Sequence, residues 1–262
     1  MSGIVARPTA FGVVIPARYA SERLPGKPLC DLGGKPMIVR VLENARKTGA
    51  GWVLVATDDE RVANAVAAAG GEAMLTSPDH PSGTDRLAEV ARRKGLDPEA
   101  IVVNVQGDEP LLDPKFVVMV AQALGQHPAA GIATLATPIR EVEEVLNPNV
   151  VKVTVARSGL AITFSRAPMP WLRAVFSGPR EQIKLPPASD FLRHIGLYAY
   201  RARTLSELSA QSPVSLETAE SLEQLRALWL GIPIHVTTVA EPPGHGVDTE
   251  DDLARVRAHF RG

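Results

Sequence analysis

Short apolar runs, each closed by a turn residue and followed by apolar residues at helical spacing, constrain this chain more than any other feature. Residues 11–16 (FGVVIP) form such a run, and a polar, glycine-containing loop at 17–34 follows it. Met37, Ile38, Val41, Leu42 and Ala45 then recur at helical spacing, with Gly49 as a stop. Residues 52–57 (WVLVAT) and 101–105 (IVVNV) repeat the strand pattern, 73–76 is a briefer strand, and 60–69 and 84–94 read as helices. Continuous apolar strands alternating with helices predict a mostly parallel sheet covered on both faces. From Gly131 the rhythm changes, and strand-like runs at 131–139, 151–156, 160–165 and 194–200 follow one another. A proline-rich stretch at 167–189 interrupts them as a loop, and a helix at 216–230, a strand at 234–239 and a helix at 249–259 close the chain. The expectation is a single α/β domain over residues 1–262 with an inserted antiparallel, loop-rich lobe at about 131–205.

Composition excludes several classes. With 262 residues, 45% hydrophobic and 22% charged, the chain is neither disordered nor in need of a disulfide or metal staple. Lysine and arginine number 28 against 29 acids, so no excess of cations marks nucleic acid as the partner. The single cysteine, Cys30, cannot form an internal disulfide, which fits a reducing compartment, and no histidine lies near it in sequence to make it a catalytic thiol. The N-terminal stretch carries no apolar core followed by a cleavage site, and no run approaches a membrane span, so a soluble, cytoplasmic protein is expected.

Ligands of open parallel sheets gather beyond the carboxyl ends of the strands. Three ionisable clusters fall there. After the first strand, Arg18, Arg23 and Lys27 place three cations within ten residues, and Ala20, Ser21 and Gly26 let backbone N–H groups approach an anion. That pattern suits a triphosphate, although it is neither a GxxxxGK[ST] nor a GxGxxG loop; the competing reading is a solvated basic loop. After IVVNV comes Gln106-Gly107-Asp108-Glu109-Pro110, where Asp108 either coordinates a divalent cation beside phosphates or caps a turn, and Gly107 lets a ligand approach the backbone. After the last strand comes Gly244-His245-Gly246-Val247-Asp248-Thr249. Here Asp248 is a second metal carboxylate, or else Asp248 or Thr249 caps the final helix. The six histidines show no zinc spacing, and no GxSxG elbow is present.

Six segments in order, VVIPARYASERLPGKPL, Asp79-His80 with SGTDR (Ser82 to Arg86), NVQGDEP, FLRHIGLYAY, LEQLR and GVDTEDDL, closely resemble the 3-deoxy-manno-octulosonate cytidylyltransferase (CMP-Kdo synthetase) family. The resemblance runs from about Val13 to Val256. It implies a Rossmann-like, mostly parallel sheet of the nucleotidyltransferase type in a cytoplasmic, Mg²⁺-dependent homodimer with CTP and the acid sugar Kdo as substrates. Neither nucleic acid nor membrane insertion is implied. Residue by residue, it makes Arg18, Ser21, Arg23 and Lys27 the triphosphate loop and puts Ser82, Gly83 and Arg86 beside the cytosine and sugar pockets. Asp108 and Asp248 become the metal aspartates, with Lys27 completing the catalytic set. Gln106, Arg166, His194, Tyr198, Glu217 and Gln224 become Kdo-side groups.

The implied reaction is in-line attack of the Kdo anomeric hydroxyl on the α-phosphorus of CTP, expelling pyrophosphate. Two anions must be brought together, so neutralisation and positioning carry the catalysis. Blander readings stand beside several residues: Tyr198 as a strand aromatic in the core, His194 as a satisfied structural histidine, and Glu217 and Gln224, seven apart, as a solvated helix face. A cytidylyltransferase for another acid sugar such as sialic acid, and a non-catalytic nucleotide-binding module, are the competing functions. The segment at 172–189 fits the family pattern poorly, and a place at a dimer interface is one reading of it.

Overall fold

The computed structural model describes residues 9–20, 24–178, 183–186, 190–244 and 246–260. Its first half alternates as the periodicity requires: β1 (Phe11–Ala17), α1 (Met37–Arg46), β2 (Trp52–Thr57), α2 (Glu60–Ala68), β3 (Glu72–Leu75), α3 (Gly83–Arg93), β4 (Ile101–Asn104) and α4 (Pro114–Gln126). The second half holds β5 (Ile132–Pro138), α5 (Val142–Leu146), β6 (Lys152–Val155), β7 (Ala161–Ser165), β8 (Leu192–Arg201), α6 (Ala202–Ser209), α7 (Ser215–Glu220), α8 (Gln224–Trp229), β9 (Ile234–Thr238) and α9 (Glu250–His259).

The main sheet runs β3-β2-β1-β4-β8-β5-β9, and only β8 opposes the direction of its neighbours on that path. Alternate residues of β1 go to opposite faces, as a pleated strand demands. Val13 and Ile15 meet α1, α2 and α4 on one side, while Val14 meets α3, α6 and α8 on the other. Both faces are therefore covered, which is why these strands read as unbroken apolar runs.

The strands expected in a separate lobe share this sheet. β5 and β8 are inner strands of it, and the β6–β7 hairpin hangs from β8 through Lys152↔Arg193 and Val153↔Leu192. The loop expected at 167–189 packs Phe176, Leu172 and Leu185 into a small apolar cluster with Ile139, Val145 and Phe191.

One expected helix is two. Ser221 takes the left-handed conformation (φ 49), ending α7 before α8 begins, so the helix expected at 216–230 is broken. The break is stabilised by its surroundings: the Leu222 N–H returns to the Glu217 carbonyl, and Arg226 of α8 pairs with Glu217 of α7. Glu217 and Gln224 therefore do not share one helix face.

Candidate active site

Strand order reverses between β1, which continues to β2 and β3, and β4 on its other side. Such a switch point opens a crevice beyond the carboxyl ends of the two strands. Close strand approach shapes its floor, because a Cβ on Gly107 would stand 2.8 Å from the Pro16 carbonyl. Gly107 thus serves the close approach to the end of β1 and also lines the cavity, where the sequence expects a ligand to approach the backbone. A second glycine, Gly26, holds φ 70 and starts the 3-10 turn at Lys27–Leu29 that carries Lys27.

Lys27 ties the three clusters together. Its Nζ donates to Asp108 Oδ2 at 2.5 Å and to Asp248 Oδ1 at 3.3 Å, across 81 and 221 residues of sequence. Asp108 sits in the turn after β4, where the Glu109 N–H returns to the Gln106 carbonyl. The Val247 N–H donates to the Asp108 carbonyl at 2.8 Å and so carries the Asp248 loop alongside. The two roles left open for that loop divide: Thr249 caps α9 by accepting from the Asp252 N–H, and the Asp248 carboxylate faces Lys27. Burial, followed by the negative charges of Asp108 and Asp248, pushes the neighbouring Glu109 carboxyl up to about 7.

A cavity of about 250 Å³ opens here, lined by Arg18, Lys27, Gly83, Arg86, Gln106 and Asp108 among others. Arg18 donates to the His80 carbonyl and holds the 77–82 segment at the rim. Ser82 caps α3 by accepting from the Asp85 N–H, and Gly83 opens the helix over Pro16. The Ser82 hydroxyl lies 2.7 Å from an Asp85 oxygen and 2.9 Å from a Glu223 oxygen. One hydroxyl hydrogen serves only one carboxylate. Burial raises the Glu223 carboxyl. Arg86 is fully buried beneath the cavity, bonded to Asp58 Oδ2 at 3.0 Å and to the Thr76 hydroxyl. Ser21 and Arg23 lie outside the described residues, as does His245.

The residues assigned to the sugar side are differently engaged. The Thr134 hydroxyl lies 3.0 and 2.9 Å from the carbonyls of Ile195 and Leu197; its single hydrogen goes to one of them, and its oxygen accepts from His194 Nε2–H at 3.0 Å. Burial lowers His194 to about 3, which keeps it neutral, and Phe164 and Tyr198 flank its ring. Burial also raises the Tyr198 hydroxyl. Both Glu217 oxygens are bound by Arg226, at 2.6 and 2.8 Å, and one also accepts the Val214 N–H. The Arg166 guanidinium lies on the carbonyls of Pro148 and Glu220, at 2.9 and 2.6 Å. Gln224 is the first residue of α8.

Sequence reasoning passed over Asp58, Glu89, Lys152, Glu220 and Glu223. Asp58 had a usable signal, an acid immediately after the WVLVAT strand. Burial alone would raise Glu89, but bonds from the Ser77 N–H, His80 and Arg93 outweigh it and bring its carboxyl down to about 2, anchoring the rim segment.

A lysine held between two carboxylates, with Arg18 on the same cavity, places charged groups at a sheet switch point, where α/β proteins take their ligands. A family model described as cytidylyltransferase matches residues 12–234. The chain therefore belongs to the cytidylyltransferase family, and within it to the 3-deoxy-manno-octulosonate cytidylyltransferases. A relative of that name from Pseudomonas fluorescens is 57% identical over 249 residues, 95% of this chain and 97% of its own. Another, from Pseudomonas syringae pv. tomato, is 56% identical over 248 residues, again 95% of this chain and 97% of its own. Among solved structures, CMP:2-keto-3-deoxy-manno-octonic acid synthetase complexed with CTP superposes with TM-score 0.84 at 44% identity, covering 96% of this chain and 99% of that one.

Proposed function

We propose that the chain transfers CMP from CTP to the anomeric hydroxyl of Kdo, giving CMP-Kdo and pyrophosphate for lipopolysaccharide synthesis. The observation that carries the reading is the meeting of Lys27, Asp108 and Asp248 at the switch point, in a chain 57% identical to a protein of that name. Members of the family generally use a divalent metal. The donor set here fits one. Two carboxylates already share a single cation, and the remaining positions of a hard, oxygen-seeking ion are left for phosphate oxygens and water, the habit of Mg²⁺. We therefore name Mg²⁺ and assign its binding to Asp108 and Asp248. When bound, it supplies polarisation of the phosphate oxygens and acidification of the attacking hydroxyl.

The chain's own groups do the rest. Lys27 and Arg18 neutralise the triphosphate, and Lys27, released from the carboxylates, stabilises charge developing on the leaving pyrophosphate. The N-terminus of α3, with Ser82 and Gly83, offers main-chain donors to the nucleotide. Gln106, Arg166, His194, Tyr198 and Gln224 orient the sugar, with His194 as a neutral hydrogen-bonding group rather than a base. Glu217 is assigned to the frame around Arg226. Two copies in the cytoplasm form the working unit, and large exposed side chains such as Trp171 and Trp229 are the surfaces that support this reading.

The test is a pyrophosphate-release assay with CTP, UTP or ATP against Kdo and sialic acid, with and without Mg²⁺. Release is expected with CTP, Kdo and Mg²⁺ together. No release from that mixture overturns the reading, and preference for sialic acid moves it to another acid sugar. Light scattering of the purified chain at twice the monomer mass supports the dimer.

A further inference from the structure

Lys152 is buried completely, yet among the described residues no carboxylate bonds to its ammonium. Its three N–H groups meet three carbonyls instead: Asn147 at 3.0 Å, Val150 at 2.6 Å, and Arg166. On the other side of Arg166, Glu220 Oε2 accepts the Arg166 backbone N–H at 2.7 Å, and Glu220 Oε1 accepts the Ser165 hydroxyl at 2.7 Å. A cation thus holds the carbonyl of Arg166 while an anion holds its N–H. Burying an ammonium is expensive, and an apolar side chain of similar volume often gives equal or better stability. Stability alone therefore does not account for a lysine here. Its three donors gather the turn before β6 and the end of β7 onto one point, and that point is the backbone of Arg166.

We propose that Lys152 and Glu220 are positioning residues that clamp the backbone of Arg166, so that its guanidinium recognises the carboxylate of the acid sugar. This rests on the reading of Arg166 as a sugar-side residue. The clamp fixes where the guanidinium starts. The guanidinium itself bonds to backbone carbonyls of Pro148, Glu220 and Ser221, which it can exchange for a carboxylate without breaking an ion pair. Lys152 also adds a positive charge behind the same wall, favouring an anionic ligand in front of it. Neither residue touches the nucleotide cavity, so the effect belongs to one substrate only.

The experiment compares Lys152→Met, Glu220→Gln and Arg166→Ala by steady-state kinetics with CTP and Kdo varied separately, alongside thermal unfolding. Lys152→Met is expected to raise the KM for Kdo about tenfold with the KM for CTP within about twofold of wild type. A purely structural role would lower the melting temperature without separating the two KM values. If Lys152→Met does not fold, Glu220→Gln carries the same expectation, since it keeps the side-chain shape and removes the charge. A folded Lys152→Met or Glu220→Gln with unchanged KM for Kdo, or with both KM values raised alike, overturns the positioning role. Arg166→Ala separates this from the underlying reading. A raised KM for Kdo there, with none in the clamp variants, overturns the clamp alone. An unchanged KM for Kdo in Arg166→Ala overturns the sugar-side assignment and the clamp with it.

Discussion

At the carboxyl ends of β1 and β4, charged side chains meet each other across an open cavity, whereas around β6, β7 and α7 charged side chains are buried against backbone. Lys27 faces two carboxylates that a metal and phosphates can take over. Lys152 and Arg166 face carbonyls, and Glu217 is locked to Arg226. On the proposed assignment the difference follows the ligands each region would meet. A triphosphate with its metal brings so much charge that the protein needs several partners ready to exchange. A small acid sugar brings one carboxylate and many hydroxyls, so recognition depends on a fixed frame, made by satisfying the backbone around Arg166 while its guanidinium alone stays exchangeable.

The sharpest way to break this comparison is Asp108→Asn. It removes the charge that a metal requires while keeping the shape, so turnover should fall by about a thousandfold or more with little change in melting temperature. Near wild-type pyrophosphate release would remove the exchangeable site from the account. Lys27→Met should follow, with kcat/KM for CTP down about a hundredfold and KM for Kdo nearly unchanged. Equal losses for both substrates would erase the division into two regions.

Glu217→Gln probes the other side. Breaking a buried pair leaves Arg226 uncompensated, so stability should drop by about 2–4 kcal/mol in denaturant melts while KM for Kdo stays near wild type. A rise in that KM with unchanged stability would return Glu217 to the substrate.

In pH the two regions differ in where the loss of stability begins. His194 is held near 3 against 6.5 in the unfolded chain, so the unfolded state takes up the proton first and stability falls as pH drops below about 6.5. Glu89, held near 2 against 4.5, contributes stability in full above about 4.5, lost as pH falls from there toward 2. Between about pH 6.5 and 4.5 the stability curve should flatten in His194→Gln and not in Glu89→Gln, and below about 4.5 Glu89→Gln should flatten it as well; flattening of the 6.5–4.5 range by Glu89→Gln would contradict the assignment.

Much of the fold could be read in advance because a doubly covered parallel sheet writes itself as apolar runs: FGVVIP, WVLVAT and IVVNV became β1, β2 and β4 within a residue or two. The break at Ser221 could not be read. Residues 216–230 keep helical composition throughout, and the left-handed turn is stabilised by contacts such as the Glu217–Arg226 pair across two short helices. In the site, Lys27, Asp108 and Asp248 were visible because they follow strands, and strand ends in such sheets are where ligands go. Lys152 and Glu220 were not visible, since a lysine inside a short strand looks like any half-exposed position until its carbonyl partners are known.

By itself, then, the sequence determined the layered sheet, the strand ends that carry charge and the family resemblance, because periodicity and local spacing are properties of neighbours along the chain. Tertiary structure alone decided which charges meet across the open cavity and which are framework. That choice depends on partners far away in sequence, such as the 221 residues separating Lys27 from Asp248. It also depends on burial, which makes an unpaired charge too costly to leave without a carbonyl or a counter-ion.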